Sequence, residues 1–353
     1  GRQDHVGWNV SRYFPWGHNI GVLIVSKTAL VTGATGGLGQ HLLRALSREG
    51  YQIRASGRNS VIGNSLNSST CQFIGGDLRD SMHIQELVKN VDVVFHCAAL
   101  SSPWGPMSDF RAMNVTMTQN LLDAAIATKV AKFIHVSTPS IYFNHTDQLD
   151  IPENANLPSN FVNAYAATKA EAEQRVLAAP IQSAIIRPRG IFGEFDTVLV
   201  PRILKVAAKG KIPIFNHGQA MVDVTYGGNV ADAMVAMDQR IDRLNNRIFN
   251  LSNDEPMPIA TLLKKVFDAM GQNVKLKNMP FGLVHSLTRV IEATSLALGR
   301  KSEPKFLPYP VALMRYSQTL DIAAAKRELG YRPTVTVDQG LARFVEWHKG
   351  KSL

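Results

Sequence analysis

A chain of 353 residues with 45% hydrophobic and 19% charged side chains can bury one large α/β core or two smaller ones, which excludes a disordered or fibrous protein. Its formal net charge is +10, yet Lys and Arg are scattered singly apart from short pairs such as Lys264-Lys265 and Arg300-Lys301. A solvated basic surface that favours anionic ligands is therefore expected, not a nucleic-acid stripe, and no apolar run reaches the roughly 18 residues of a membrane-spanning helix.

Residues 1–26 contain Trp8, Tyr13, Phe14 and Trp16 and only the short apolar run 21–25. No cleavage pattern of small residues follows it, so this stretch reads as an N-terminal extension of unknown role. From Lys27 to about Arg187, strand and helix patterns alternate. Strands are expected at 28–32, 52–56, 71–74, 92–97, 132–137 and 182–187, and helices at 38–48, 82–89, 110–128 and 161–178. Residues 59–70, rich in Ser and Asn, read as a loop.

Past Arg187 the pattern loosens. Short strands are expected near 212–215, 222–226 and 247–251, with helices near 200–209, 227–238, 258–270, 281–298 and 337–348. The expected architecture is α/β: a Rossmann-type doubly wound parallel sheet over 27–195 and a smaller C-terminal substrate-capping lobe over 196–353, some segments of which return to the first domain. Cys71 and Cys97 fall in two predicted strands that the order 3-2-1-4 holds roughly 14 Å apart, too far for a disulfide. A reducing compartment, the cytoplasm, is expected.

The run Thr32-Gly33-Ala34-Thr35-Gly36-Gly37-Leu38-Gly39 follows the first strand and opens a helix, where a dinucleotide pyrophosphate sits against free amides. Gly33 allows the tight turn, Gly36 the approach of phosphate, and Gly39 the packing of helix on strand. The second strand ends Ile53-Arg54-Ala55-Ser56-Gly57-Arg58, with no carboxylate for a ribose 2′-hydroxyl. Arg58, with Arg54 and Ser60, suits a 2′-phosphate, so NADP(H) is preferred while NAD(H) stays open. A solvent-facing Arg58 stacked on adenine is the plainer alternative.

Tyr165 and Lys169 stand four residues apart in Asn163-Ala164-Tyr165-Ala166-Ala167-Thr168-Lys169 and share a helix face. A nearby ammonium is expected to bring the tyrosine hydroxyl toward working pH. The spacing alone is weak evidence; its context gives it meaning.

With these motifs the chain resembles the extended short-chain dehydrogenase/reductases, from about Lys27 to Trp347. Gly76-Asp77-Leu78-Arg79-Asp80 is similar to the family's adenine contact, which implies Asp77 and Leu78 at the cofactor. Phe95-His96-Cys97-Ala98-Ala99 resembles the fourth-strand signature, placing Ala98 and Ala99 there too, with His96 read as a core histidine. Asn114-Val115-Thr116-Met117-Thr118-Gln119-Asn120 resembles the NVxGTxN helix with Met117 at the glycine, and Gly37 stands where an aromatic is common. Val136-Ser137-Thr138-Pro139-Ser140-Ile141-Tyr142 resembles VSSxxVY, which implies Thr138 as hydroxyl partner of Tyr165; Ser137 and Ser140 are its rivals. Arg187-Pro188-Arg189-Gly190-Ile191-Phe192-Gly193 resembles RPxxIYG and implies Pro188 and Ile191 beside the nicotinamide.

The resemblance thus implies an enzyme in which Thr138, Tyr165 and Lys169 are catalytic, Tyr165 and Lys169 also touch NADP(H) or NAD(H), and no metal takes part. Its nearest branch contains 3β-hydroxysteroid dehydrogenases, sterol-4-carboxylate 3-dehydrogenases and 2-alkyl-3-oxoalkanoate reductases. The expected reaction is reduction of a hydrophobic β-keto acid to its β-hydroxy acid. A steroid, sterol or dihydroflavonol-type dehydrogenase, a sugar-nucleotide epimerase and a non-catalytic NAD(P)-sensing regulator are the alternatives. The apolar stretch 280–296 is expected to be core, with a greasy pocket wall or peripheral membrane contact as the other readings. Arg189, Arg202 or Arg315 is a candidate partner for a substrate carboxylate. A homodimer through helices 110–128 and 161–178 is expected.

Overall fold

Seven short apolar runs, each too brief for a helix and bounded by turn residues, pair as one all-parallel sheet. The computed structural model describes residues 26–300, 302–304 and 306–351, so the N-terminal extension lies outside the described residues. The first half runs β1 (Thr28–Thr32), α1 (Gly37–Arg48), β2 (Gln52–Gly57), α2 (Ser60–Ser65), β3 (Cys71–Gly75), α3 (Ser81–Val88), β4 (Val93–His96), α4 (Met107–Phe110), α5 (Met117–Ala127), β5 (Lys132–Val136), β6 (Gln148–Ile151), α6 (Ala164–Ala178) and β7 (Gln182–Pro188).

The second half continues with β8 (Ile191–Phe192), α7 (Leu199–Ala207), β9 (Lys211–Ile214), β10 (Met221–Val222), β11 (Thr225–Tyr226), α8 (Gly227–Arg240), β12 (Arg247–Leu251), β13 (Met257–Pro258), α9 (Ile259–Ala269), β14 (Lys275–Asn278), α10 (Phe281–Ala297), α11 (Pro308–Leu313), β15 (Gln318–Leu320) and α12 (Val337–Lys351). The large sheet has the order β12-β7-β5-β4-β1-β2-β3, which is the doubly wound order with its switch between β1 and β4. Its two faces are buried by different helices. Leu42, Leu46, Val230 and Met234 cover one, and Leu87, Leu121, Leu122 and Val176 cover the other.

The lobe has a core of its own, built from Val200, Ile212, Leu263, Phe267, Val337 and Phe344. Its four-stranded sheet, β13-β10-β15-β6, takes β6 from the first half, while β12 returns to the large sheet. The chain therefore crosses between the layers several times, and the cleft between them gathers residues from many segments.

Three expectations need correction. Residues 59–70 are not all loop: Asn59 accepts a hydrogen bond from Ile62 N at 3.0 Å and caps α2. The expected helix 110–128 is α4, a π-helical segment over Arg111–Thr116 and α5. The stretch 280–296 is not core, because α10 buries only Thr288 and Ser295 and leaves Leu283, Leu287 and Val290 exposed. Among the described residues no helix is long and apolar enough to cross a membrane.

Candidate active site

At the carboxyl ends of the large sheet lies a cavity of about 600 Å³, within the usual range for a small-molecule site. One wall is the turn from β1 into α1. Gly33 has φ +68°, and a Cβ there would stand 2.8 Å from Ala98 N; at Gly39 a Cβ would collide with the Gly33 carbonyl. Side chains are thus excluded where backbone must approach backbone. Gly36 caps α1 without a side-chain hydrogen bond, and the first turn holds no acidic residue. Its amide ends remain available to a phosphate.

The other residues of this wall follow in order. Thr35 packs so close to Gly57 that a Cβ at Gly57 would stand 2.7 Å from its hydroxyl oxygen. Arg58, Asp77, Leu78, Ala98 and Ala99 line the same space, as do Gly37, Leu38, Pro188 and Ile191. Asp77 is occupied: its carboxylate accepts from Arg79 Nη2 at 2.6 Å and Nε at 3.0 Å, and that guanidinium holds it down to about 2. Arg54 is not part of the cavity. Its guanidinium donates to the carbonyls of Leu87 at 2.7 Å and Lys89 at 2.6 Å, satisfying the end of α3, so the expected help to Arg58 does not come from there. Ser60 sits in the first turn of α2 and does not line the cavity.

The opposite wall carries the acid-base residues. Lys169 is 2% exposed and donates to the Val136 carbonyl at 2.6 Å and to His135 Nε2 at 2.9 Å. An ammonium has three donors, so one is left for a group in the cavity. Burial lowers the Lys169 pKa to about 8, and it keeps His135 neutral, well below its ordinary value. Tyr165 faces the cavity one helical turn earlier. Burial pushes its hydroxyl up to about 12, and a hydrogen bond with Thr138 partly offsets this. The depressed Tyr165 pKa expected from the spacing is therefore corrected: desolvation of the buried hydroxyl dominates. The hydroxyl is held protonated, the form a donor needs.

Thr138 lies two residues past β5 and caps the following turn, accepting from Ser140 N at 3.2 Å. Its hydroxyl donates to Ser140 Oγ at 3.0 Å. Ser137 Oγ is buried and has no hydrogen-bond partner among the described residues. His96 is a core residue, bonded to Thr32 Oγ1 at 2.8 Å and Thr118 Oγ1 at 2.9 Å, with burial pulling it down to about 3. Met117 is 1% exposed and lines the cavity from the position of the motif's glycine.

Two contributors were missed by sequence reading. The segment from Glu194 to Leu199 closes over the glycine turn, and a Cβ at Gly37 would stand 3.1 Å from the Phe195 carbonyl; the small residue makes room for that strap. Glu173, one turn beyond Lys169 on the same face of α6, accepts from Arg187 Nε at 2.8 Å, with 4% and 3% of the two residues exposed. This buried pair ties α6, which carries Tyr165, to β7, which ends at Pro188. An i, i+4, i+8 reading of the helix would have found it.

The profile of the NAD dependent epimerase/dehydratase family matches residues 29–252. An uncharacterised protein of Escherichia coli, YbjS, is 34% identical over 90% of this chain and 96% of its own length. The 2-alkyl-3-oxoalkanoate reductase of Stenotrophomonas maltophilia is 31% identical over 89% of this chain and 97% of its own. Among solved structures, the UDP-glucose 4-epimerase of Thermotoga maritima superposes with a TM-score of 0.72 at 20% identity, covering 92% of this chain and 100% of that one, which shows a shared fold. The chain belongs to the NAD dependent epimerase/dehydratase family, within the extended short-chain dehydrogenase/reductases, and is an NAD(P)-dependent oxidoreductase by family.

Proposed function

We propose that the protein reduces the ketone of a hydrophobic β-keto acid to the secondary alcohol with NADPH. The carrying observation is the convergence on one cavity of a glycine turn at a helix start, a buried Lys169 with a spare donor, and a protonated Tyr165 against Thr138. The residues fit a dinucleotide: α1 and the Gly33, Gly36 and Gly39 turn would hold the pyrophosphate, Asp77, Leu78, Ala98 and Ala99 the adenosine half, and Lys169, Pro188 and Ile191 the nicotinamide half. When bound, the cofactor supplies the hydride delivered to the carbonyl carbon.

The protein's own part is positional and protonic. Tyr165 gives its proton to the ketone oxygen as negative charge develops there, and Thr138 joins it by turning its hydroxyl hydrogen from Ser140 Oγ to the same oxygen. Lys169, held by Val136 and His135, anchors the ribose. Running the same steps backward oxidises the alcohol. Arg58 lines the cavity just past β2, whose own end carries no carboxylate for a ribose 2′-hydroxyl, and the nearby Asp77 is taken up by Arg79, which supports NADPH over NADH. The named relative supports the substrate class.

The test is a panel of β-keto acids, ketosteroids and UDP-sugars, each with NADPH and with NADH. NADPH-dependent reduction of the β-keto acids is expected. Turnover confined to UDP-sugars would overturn the lipid reading, and equal use of NADH would overturn the role of Arg58.

A further inference from the structure

Arg189 and Arg187 lie two residues apart at the end of β7, yet their surroundings differ. Arg187 is saturated by Glu173, by the Tyr142 hydroxyl and by the Glu153 carbonyl at 3.0 Å. Arg189 is 8% exposed, its Nε has no partner, and among the described residues its guanidinium makes no ion pair or hydrogen bond. Its backbone is firmly held. The amide donates to the Leu251 carbonyl at 3.0 Å, and the carbonyl accepts from Thr225 Oγ1 at 2.6 Å. A guanidinium carries five donors that cannot be shed by deprotonation, so a buried one left unpaired is built for an absent acceptor.

The titratable groups near enough to act electrostatically on Arg189 are Tyr309 on α11, neutral as a phenol, and Asp223 between β10 and β11. Asp223 does not close on it; one of its oxygens accepts from the Leu320 amide at 2.8 Å and the other has no partner. Tyr309 leads back to the reacting centre. Its hydroxyl donates to Ser140 Oγ at 2.8 Å, the same atom that takes the Thr138 hydroxyl at 3.0 Å. A line of hydroxyls thus runs from the group that grips the ketone oxygen to the group beside the unpaired guanidinium.

We infer that Arg189, flanked by Tyr309, is the seat of an anionic group on the substrate, a carboxylate one carbon from the ketone that Thr138 and Tyr165 hold. The inference deepens the ketone-reductase reading above and rests on it. The planar guanidinium fork matches a carboxylate and not its ester, which lacks the charge and the second free oxygen. Reading the acid is then the task of Arg189, and reading the ketone that of Thr138 and Tyr165.

The experiment compares β-ketodecanoate with its methyl ester as substrates for the wild-type enzyme, Arg189→Gln and Arg189→Lys. It also compares binding of β-hydroxydecanoate and its methyl ester to each protein with NADP+, by calorimetry. The wild type is expected to favour the acid, and in Arg189→Gln the acid-to-ester ratio of kcat/KM is expected to fall about 10- to 100-fold, the range of a charge-assisted pair, mainly through KM. Arg189→Lys, which keeps the charge without the fork, should recover part of the ratio. Parallel losses on acid and ester would assign Arg189 a structural role and overturn the inference, as would a wild-type enzyme that does not distinguish the two. Reduction of both by the wild type without discrimination leaves the reductase reading intact. Arg189-dependent binding of the acid by an enzyme that reduces neither would keep the subsite and overturn the reductase reading.

Discussion

The two walls of the cavity are made differently. The wall proposed for the cofactor comes from short contiguous runs, Gly33–Gly39, Gly57–Arg58, Asp77–Leu78 and Ala98–Ala99, and would act largely through backbone: a left-handed turn, free amides, a close approach. The proposed substrate side depends on side chains far apart in sequence: Thr138 and Tyr165 line the cavity, Ser140 and Tyr309 join Thr138 through hydroxyl contacts, and Arg189 and Asp223 lie within electrostatic reach of one another. Backbone chemistry is local, so it is written in local motifs. Side-chain chemistry depends on convergence, and convergence belongs to the fold.

That difference can be broken or sharpened by substitution. The largest effect is expected where α6 meets β7: Glu173→Ala leaves Arg187 buried and uncompensated and should cost about 3–5 kcal/mol in denaturant melts. Lys169 comes next. Its pKa falls from 10.5 to about 8 on folding, so between those values the unfolded chain binds more protons and stability rises with pH. Wild type should gain about 3 kcal/mol relative to Lys169→Met across that window, and equal pH slopes would contradict the buried ammonium.

On the cofactor wall, Arg58→Ala should raise the KM for NADPH about 10- to 100-fold and leave NADH nearly untouched, the loss of a charge-assisted phosphate contact. Smallest is Asn59→Ala, which removes the cap of α2 and should cost about 1 kcal/mol. An unchanged melt would return residues 59–70 to loop.

Much of the fold was legible because its strands are apolar runs separated by helices, and the order 3-2-1-4 at one end of the large sheet is that of the doubly wound fold to which the alternation points; that 247–251 forms the opposite edge was not legible. The capping lobe was legible only as scattered elements. β6 and β15 are short, and their partners lie 169–170 residues away in the register Gln148↔Gln318 and Ile151↔Leu320, which no local pattern announces. The helix α2 escaped because Ser and Asn favour loops in composition, yet here Asn59 is a cap and Gly63 sits where a Cβ would collide with the Phe73 ring. The residues proposed for catalysis were readable as spacing, but not their electrostatics. Four residues of separation bring Lys169 to the same face as Tyr165; only the strand beneath shows that Val136 and His135 take two of its three donors.

The central claim is that Tyr165 is the proton donor to a ketone oxygen. Its most direct test is the turnover of Tyr165→Phe with NADPH and a β-keto acid, alongside NADPH binding by fluorescence. The account predicts a loss of at least about 100-fold in kcat with cofactor affinity little changed, because the phenylalanine keeps the ring and removes only the hydroxyl. Turnover close to that of the wild type would contradict it.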